Sequence, residues 1–163
     1  MKVILDMNCF MYAVDPRAEA HADMRRLLLA AKSGKIKIMV SRHTLDELSK
    51  KPDEACELAK TFETVPYWSI GTIREQVATI EQLTGTWEDA RRNEDMRLEL
   101  AQLAKRNASI RDLGAYLDAH HAGADFFVTS DKDLVGSGPA GKIQARFKLR
   151  VLTPRQFVSE TPL

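Results

Sequence analysis

The sequence predicts an α/β fold in which helices cover both faces of a parallel sheet. Short apolar runs alternate along the chain with segments whose apolar residues recur every three or four positions, and this alternation is typical of βαβ units. The runs at 3–5 and 126–128 are continuous and bulky, as in strands that are buried on both faces. Residues 36–40 and 149–152 are two further strand candidates.

Helical periodicity predicts amphipathic helices at residues 24–31, 70–80, 96–103 and 113–120. A chain of 163 residues fits a single domain over residues 1–163. Its most polar part, TGTWEDARRNEDMRLE at 84–99, is expected to form an exposed helix entrance, a surface insertion or a mobile flap. GSGPAG at 136–141 lacks the Gly-Lys-Ser or Gly-Lys-Thr ending of a phosphate-binding loop and is predicted to be a turn.

Composition narrows the function classes. Charged residues make up 29% of the chain but the formal net charge is only +1, so nucleic acid would have to be held by a local basic patch rather than by bulk charge. Cys9 and Cys56 lack metal-type spacing, so we expect free thiols and a reducing, cytoplasmic compartment. Asp6 interrupts the N-terminal run before a signal-peptide core develops, and no apolar run approaches the roughly 18 residues that span a bilayer. We therefore expect a soluble protein with no membrane contact.

Four acidic residues occur where a parallel sheet would bring them together. Asp6 and Asp131 follow the two continuous strand runs. Glu47 lies one helical turn beyond the strand candidate at 36–40, and Asp112 opens the helix before the strand at 126–128. Strand ends and these helix starts lie at one edge of such a sheet, so the carboxylates are expected to converge.

Four carboxylates that converge without a cation would repel one another. Oxygen ligands of this kind suit Mg²⁺ or Mn²⁺, with substrate phosphate completing the coordination. The chemistry predicted for such a site is phosphate-ester cleavage by a metal-activated water.

Each acid taken singly also has a structural explanation as a helix cap or turn residue. Glu47 has the spacing of a capping box with Thr44, and Asp112 nearly has it with a serine. Asp6 could cap the helix that follows it, and Asp131 lies in a turn. Caps do not require strand ends to carry acids, so both explanations stay open for the set.

Three segments resemble the PIN-domain ribonucleases, a family that includes the VapC-type toxins of bacterial toxin and antitoxin pairs. VILDMN at 3–8 resembles the family's first strand and leading aspartate, and SRHTLDEL at 41–48 is similar to its serine-started helix with the acid. RDLGAYLDAHHAGADFFVTSDKDL at 111–134 resembles its most distinctive block, in which an aspartate heads a helix and a glycine, an apolar strand and T-x-D follow. The resemblance covers nearly the whole chain.

The resemblance implies a three-layer α/β/α sandwich around a central parallel sheet of four to five strands. It implies cleavage of single-stranded or loop RNA with Mg²⁺ or Mn²⁺, a homodimer and, for a toxin, an antitoxin partner that blocks the site. By resemblance, the residues that hold the metal and carry catalysis are Asp6, Glu47, Asp112 and Asp131. Asn8 and Thr129 match orienting polar groups, and Asp133 is a possible helper.

Two features depart from the usual toxin pattern of the family. The polar segment at 84–99 makes the chain somewhat long. Gly114 and Tyr116 replace the small aliphatic residues that are common after the helix-leading aspartate. A solitary PIN nuclease, or one with another regulatory partner, therefore stays open beside a toxin.

An acidic pocket that holds a polyanion needs basic groups at its rim. Arg146, Lys148 and Arg150 would share one face of the last strand if that strand begins early enough, which makes them candidate RNA-binding residues. His120 and His121 point about 100° apart on a helix, so they are a poor chelating pair, and His120 is expected to pack in the interior.

Other functions are less well matched by the residues. A phosphatase of the haloacid-dehalogenase type needs an acid two residues after its leading aspartate, where this chain has Asn8. A D-x-D sugar-nucleotide transferase could use Asp131 and Asp133, but this leaves the other acids unexplained. The main alternative is a catalytically silent PIN-like binding or scaffold module, against which the set of mutually repelling carboxylates argues.

Overall fold

In the computed structural model, the described part of the chain comprises residues 1–50, 53–66, 95, 96, 98, 99, 102, 110–135 and 139–163, with the backbone alone at 110–112, 139 and 140. Its strands, β1 to β5 in chain order, are Lys2–Leu5, Lys37–Ser41, Glu63–Val65, Phe126–Val128 and Arg150–Leu152. Its helices, α1 to α8 in chain order, are Met7–Val14, His21–Lys32, Arg42–Ser49, Glu54–Lys60, Ile110–His121, Lys132–Val135, Pro139–Phe147 and Pro154–Glu160.

The described strands form one five-stranded sheet in the order β3-β2-β1-β4-β5, and all neighbouring pairs are parallel. The central strand β1 pairs with β2 on one side and with β4 on the other. Strands β2 and β3 extend the sheet in one direction, whereas β4 and β5 extend it in the other. The strand order therefore reverses between β1 and β4, and open parallel sheets bind ligands beyond the carboxyl ends of the strands at such a point.

Both faces of the sheet are buried, which gives the fold three layers. Val3 and Leu5 belong to a core cluster formed with α1, α2, α3, α4 and α8, whereas Ile4 belongs to a second cluster with α5, α6 and α7. Successive strand residues point to opposite faces, so a strand covered on both sides is apolar at every position. The predicted three-layer α/β/α sandwich with a parallel sheet of four to five strands is confirmed.

Most strand predictions hold to within one residue. The strands at 3–5 and 126–128 are confirmed, β1 being one residue longer, and the two further candidates each begin one residue later than expected. The sequence gives little sign of β3, because only Val65 of its three residues is buried.

The helix predictions are confirmed where they fall on described residues. Those at 24–31 and 113–120 lie within α2 and α5. The prediction at 70–80 lies outside the described residues, as do most of the prediction at 96–103 and most of the polar segment at 84–99. Residues in these last two segments that the structure does describe are helical, at positions 95, 96, 98, 99 and 102.

The predicted turn at 136–141 is wrong in its second half. Residues 139–141 form the first turn of α7, which begins at Pro139, and the fixed φ of proline suits the first position of a helix. Residues 136–138 lie outside the described part.

Three smaller expectations can also be compared with the structure. Both cysteines are free and buried. His120 packs edge-on against Phe147, with 5.6 Å between ring centroids, and its burial lowers the pKa of its imidazole, as expected of a packed histidine. None of the helices in the described ranges has the length and apolar character needed to cross a membrane.

Two leucines of α2 provide a test of the packing. Leu27 is fully buried, whereas Leu29 is 60% exposed. We expect Leu27→Ala to lower the free energy of unfolding by about 2–5 kcal/mol, because it leaves a cavity in the core. Leu29→Ala should change it by no more than about 0.5 kcal/mol. Urea denaturation followed by circular dichroism measures both, and equal losses would show that α2 does not pack through this face.

Candidate functional site

The carboxyl ends of β1 and β4 lie side by side, and a buried polar residue follows each of them. Asp6 follows β1 and is 3% exposed, and Thr129 follows β4 and is fully buried. The backbone N–H of Asp6 donates to the carbonyl oxygen of Val128 over 3.0 Å, which extends the ladder between the two strands past the end of β1. The two side chains therefore lie at the point where the strand order reverses.

Both carboxylate oxygens of Asp6 accept hydrogen bonds from the protein. Oδ1 accepts from the backbone N–H of Met7 over 2.7 Å, which makes Asp6 the N-cap of α1. Oδ2 accepts from the hydroxyl of Thr129 over 2.7 Å. The cap explanation is thus confirmed for Asp6. It is compatible with a bound cation, because an ionised carboxylate offers about four lone-pair positions.

Thr129 connects Asp6 to the loop that carries Asp131. The hydroxyl that donates to Asp6 also accepts a hydrogen bond from the backbone N–H of Asp131 over 3.0 Å. Asp131 Oδ1 accepts from the backbone N–H of Asp133 over 2.8 Å, and α6 begins directly after Asp131. The structure therefore brings together Asp6, Thr129 and Asp131 in one hydrogen-bonded chain, in which Asp133 takes part through its backbone.

Glu47 lies on α3, the helix that follows β2. The N-cap of α3 is Ser41, whose hydroxyl accepts from the backbone N–H of Thr44 over 3.1 Å. Glu47 is the sixth residue of the helix, so the capping-box explanation with Thr44 is wrong. The residue is partly exposed, and α3 contacts both α1 and α5.

Asp112 is the third residue of α5, and its side chain lies outside the described part. The segment after α5 reaches β4 at the amino edge of the sheet, where the N–H of Asp125 donates to the carbonyl of Lys2 over 2.9 Å. The 12-residue helix, about 18 Å long, therefore starts toward the carboxyl edge. Asn8, the second residue of α1, is partly exposed beside that edge.

The predicted ligands at this edge are carboxylates, whose oxygens suit a hard divalent cation. Among the side chains that the structure describes, no three His, Cys, Asp or Glu groups are arranged to hold a metal ion. The Asp112 side chain is not among them. Asp6 and Asp131 are connected through Thr129, and the complete four-carboxylate ligand set stays a prediction.

The buried Cys9 thiol lies beside Asp6 and contacts the end of β4. Its Sγ donates to the carbonyl of Val128 over 3.2 Å. Burial, and then the negative charge of Asp6, raise the pKa of the Cys9 thiol well above its usual value. Cys9 is therefore a protonated hydrogen-bond donor at neutral pH, and its thiol is bonded to the end of β4.

Sequence reasoning missed a buried contact between α3 and α5. The imidazole Nδ1 of His43 lies 2.7 Å from Oδ2 of Asp118, whose side chain is fully buried. His43 is mostly buried, with 18% of its side chain exposed. An aspartate inside the apolar stripe of a helix, four residues after a glycine, is the sequence signal that could have indicated a buried polar partner.

The three basic residues proposed to bind RNA do not share a strand face. Arg146 lies on α7, Lys148 has a positive φ of 57° in the connection, and β5 begins only at Arg150. The expectation that the strand begins early enough is therefore wrong, because α7 extends to Phe147. Arg150 pairs with the first residue of β4. It therefore lies at the amino edge of the sheet, whereas Asp6 lies at the carboxyl edge.

No protein-family model matches this chain, and no curated protein matches its sequence. Among solved structures, it is similar to a chain in the crystal structure of VapBC2 from Rickettsia felis bound to a DNA fragment from their promoter. The sequence identity is 19% and the TM-score is 0.49, and the match covers 94% of this chain and 98% of that chain. At this level, the similarity carries no information about activity or partners.

Thr129→Val tests the hydrogen-bonded chain. Valine has nearly the shape of threonine but leaves Asp6 Oδ2 and the Asp131 N–H without the Thr129 hydroxyl. We expect the free energy of unfolding in metal-free buffer to fall by about 1–3 kcal/mol, the cost of depriving buried polar groups of a partner. Thr129→Ser keeps the hydroxyl and is the matched control. A valine variant as stable as the wild type, measured by urea denaturation, would contradict the role of this hydroxyl.

The position of the basic residues leads to a second test. Replacing Arg146, Lys148 and Arg150 together by alanine should leave the salt dependence of RNA binding unchanged, because they lie away from the acidic edge. Three lost phosphate contacts would instead lower the slope of log K against log salt by about 2 for single-stranded RNA. Fluorescence anisotropy over a range of KCl concentrations measures the slope. A slope reduced by that amount would restore the three residues as RNA contacts.

Proposed function

We propose that this chain is a PIN-type endoribonuclease, a hydrolase that cleaves phosphodiester bonds of single-stranded or loop RNA with Mg²⁺ or Mn²⁺. The residues proposed to hold the metal are Asp6, Glu47, Asp112 and Asp131. The observation that carries the proposal is the hydrogen-bonded chain of Asp6, Thr129 and Asp131 at the reversal of the strand order. The resemblance of the three sequence segments to PIN-domain ribonucleases supports the same assignment.

A helix cap alone does not account for the surroundings of Asp6. Capping needs one side-chain oxygen and works at a solvent-exposed helix end. Asp6 is instead almost fully buried, held at both oxygens, and connected through Thr129 to the loop of a second acid. Burial of a carboxylate is unfavourable unless its hydrogen bonds are kept, whereas a metal ligand benefits from hydrogen bonds that fix its orientation. This arrangement favours a ligand role for Asp6.

Each residue contributes to the proposed reaction from a different element. When bound, a divalent cation supplies a coordinated water of lowered pKa and neutralises charge on the phosphate oxygens. Asp6 holds its carboxylate at the end of β1, and Thr129 keeps Oδ2 of that carboxylate oriented by donating to it. Asp131 approaches from the end of β4, while Glu47 and Asp112 come from α3 and the start of α5.

The partners follow from the same family resemblance. An antitoxin protein that covers the carboxyl edge, and a homodimer, belong to the proposal for a toxin. A solitary nuclease would need neither. The catalytically silent binding module stays the alternative function, and metal-dependent cleavage separates it from the nuclease.

The first experiment incubates the purified protein with single-stranded RNAs and tRNAs in Mg²⁺, in Mn²⁺ and in chelator, beside Asp6→Asn and Asp112→Asn. Asparagine caps helices as well as aspartate, so Asp6→Asn removes charge while keeping the N-cap. Loss of a residue that orients a metal ligand typically lowers activity by about 10- to 100-fold. We expect each variant, which changes a proposed ligand itself, to lose at least as much activity. Glu57→Gln, which removes an exposed acid on α4, is the matched control and should cleave normally.

Stability and metal binding distinguish the outcomes. Asp112→Asn should weaken Mn²⁺ binding, measured by calorimetry, without lowering the free energy of unfolding in metal-free buffer. An equal loss of stability would indicate a structural role for Asp112. Mn²⁺ binding without cleavage of any RNA would favour the silent binding module, and cleavage that persists in chelator would rule out a metal-dependent nuclease.

A further inference from the structure

The contact between His43 and Asp118 joins the two helices that carry Glu47 and Asp112. His43 lies on α3, one helical turn before Glu47, and Asp118 lies on α5 with Asp112 at the start of the same helix. The side chain of Asp118 is fully buried, so its charge depends on partners inside the protein. The 2.7 Å between His43 Nδ1 and Asp118 Oδ2 is a hydrogen-bond distance, and an ionised Asp118 would accept from the N–H of the imidazole.

Gly114 allows the imidazole of His43 to approach α5 this closely. A Cβ atom at position 114 would lie 2.8 Å from Nε2 and 2.9 Å from Cδ2 of His43, closer than side-chain contacts allow. Glycine inside a helix is less favourable than alanine, and the close approach of the ring gives a reason for it here. It also explains the departure of this position from the PIN pattern.

The orientation of the imidazole argues for a positioning role rather than for proton transfer. Nδ1 is engaged by Asp118, and the edge that carries Nε2 packs against the backbone of α5 at Gly114. What the contact determines is the position of α3 relative to α5.

We propose that the His43–Asp118 contact, with Gly114 beneath the ring, sets the spacing between Glu47 and Asp112 so that both carboxylates can reach one metal ion. This inference rests on the proposed function, because it assigns the contact to the same metal centre. Residues beyond the coordination sphere influence metal affinity by orienting the ligands, and a contact between two ligand-bearing helices acts in that way.

The test measures the Mn²⁺ dissociation constant by calorimetry, together with kcat and KM for RNA cleavage and the melting temperature in chelator. His43→Ala should raise the Mn²⁺ dissociation constant by about 10- to 100-fold and lower kcat, with KM for RNA nearly unchanged. His43→Asn, which keeps an N–H donor near the position of Nδ1, should restore most of the affinity. Arg42→Ala is the control on α3, since it breaks only an exposed pair with Asp46 and should bind Mn²⁺ normally.

Gly114→Ala provides a second arm that changes a single methyl group. It should weaken Mn²⁺ binding in the wild-type background and add nothing in the His43→Ala background, where the ring that it would displace is gone. It also serves if His43→Ala does not fold. Lower melting temperatures with wild-type Mn²⁺ affinity, or additive effects of the two substitutions, would overturn the inference.

The outcomes separate this inference from the proposed function. A wild-type protein that binds Mn²⁺ but cleaves no RNA rejects the nuclease, while the Mn²⁺ affinities of the variants still decide the role of the contact. A wild-type protein that binds no Mn²⁺ rejects the metal centre and the inference with it. Cleavage and Mn²⁺ affinity that are unaffected by His43→Ala and Gly114→Ala reject the inference alone.

Discussion

The burial of the Asp6 carboxylate is the constraint on which this edge of the sheet depends. A charged group that is 3% exposed must keep hydrogen-bond donors, because its lost hydration is otherwise uncompensated. The N–H of Met7 can donate to Asp6 because α1 begins directly after that residue. The hydroxyl of Thr129 can donate to it because β4 lies beside β1. The Asp6 side chain therefore bonds both to the start of α1 and to the residue that follows the neighbouring strand β4.

The positions of Glu47 and Asp112 depend on how their helices pack. Neighbouring strands are about 4.8 Å apart, so the ladder itself sets Asp6 against Thr129. Glu47 is six residues into α3, and its position is only as well defined as that of the helix. Ser41 caps the start of α3 through its bond to Thr44, and His43 connects α3 to α5 through its contact with Asp118. The proposed site, which draws on two strands and two helices, would thus need both kinds of constraint.

The elements of this fold that could be predicted are those whose apolar residues follow the pattern of a buried strand or helix. A strand covered on both faces is apolar at successive positions, as at 126–128, and the acids after such strands could be assigned to one edge. Strand β3 could not be predicted from the sequence, because its pairing with β2 rather than its composition makes it a strand. The pair of His43 and Asp118 is separated by 75 residues without a periodic signal. The start of β5 depended on where α7 ends, which apolar spacing around Phe147 does not indicate.

The N-terminus of α1 bears on why several carboxylates would be needed at this edge. A helix start carries partial positive charge, which stabilises the Asp6 carboxylate and disfavours a cation in the same place. The bonds from Met7 and Thr129 offset the charge of Asp6 further. Asp6 alone would therefore attract a divalent cation weakly, despite its fixed orientation. A cation held at this edge would need the charge of further acids, which the proposed set of Asp131, Glu47 and Asp112 would supply beside Asp6.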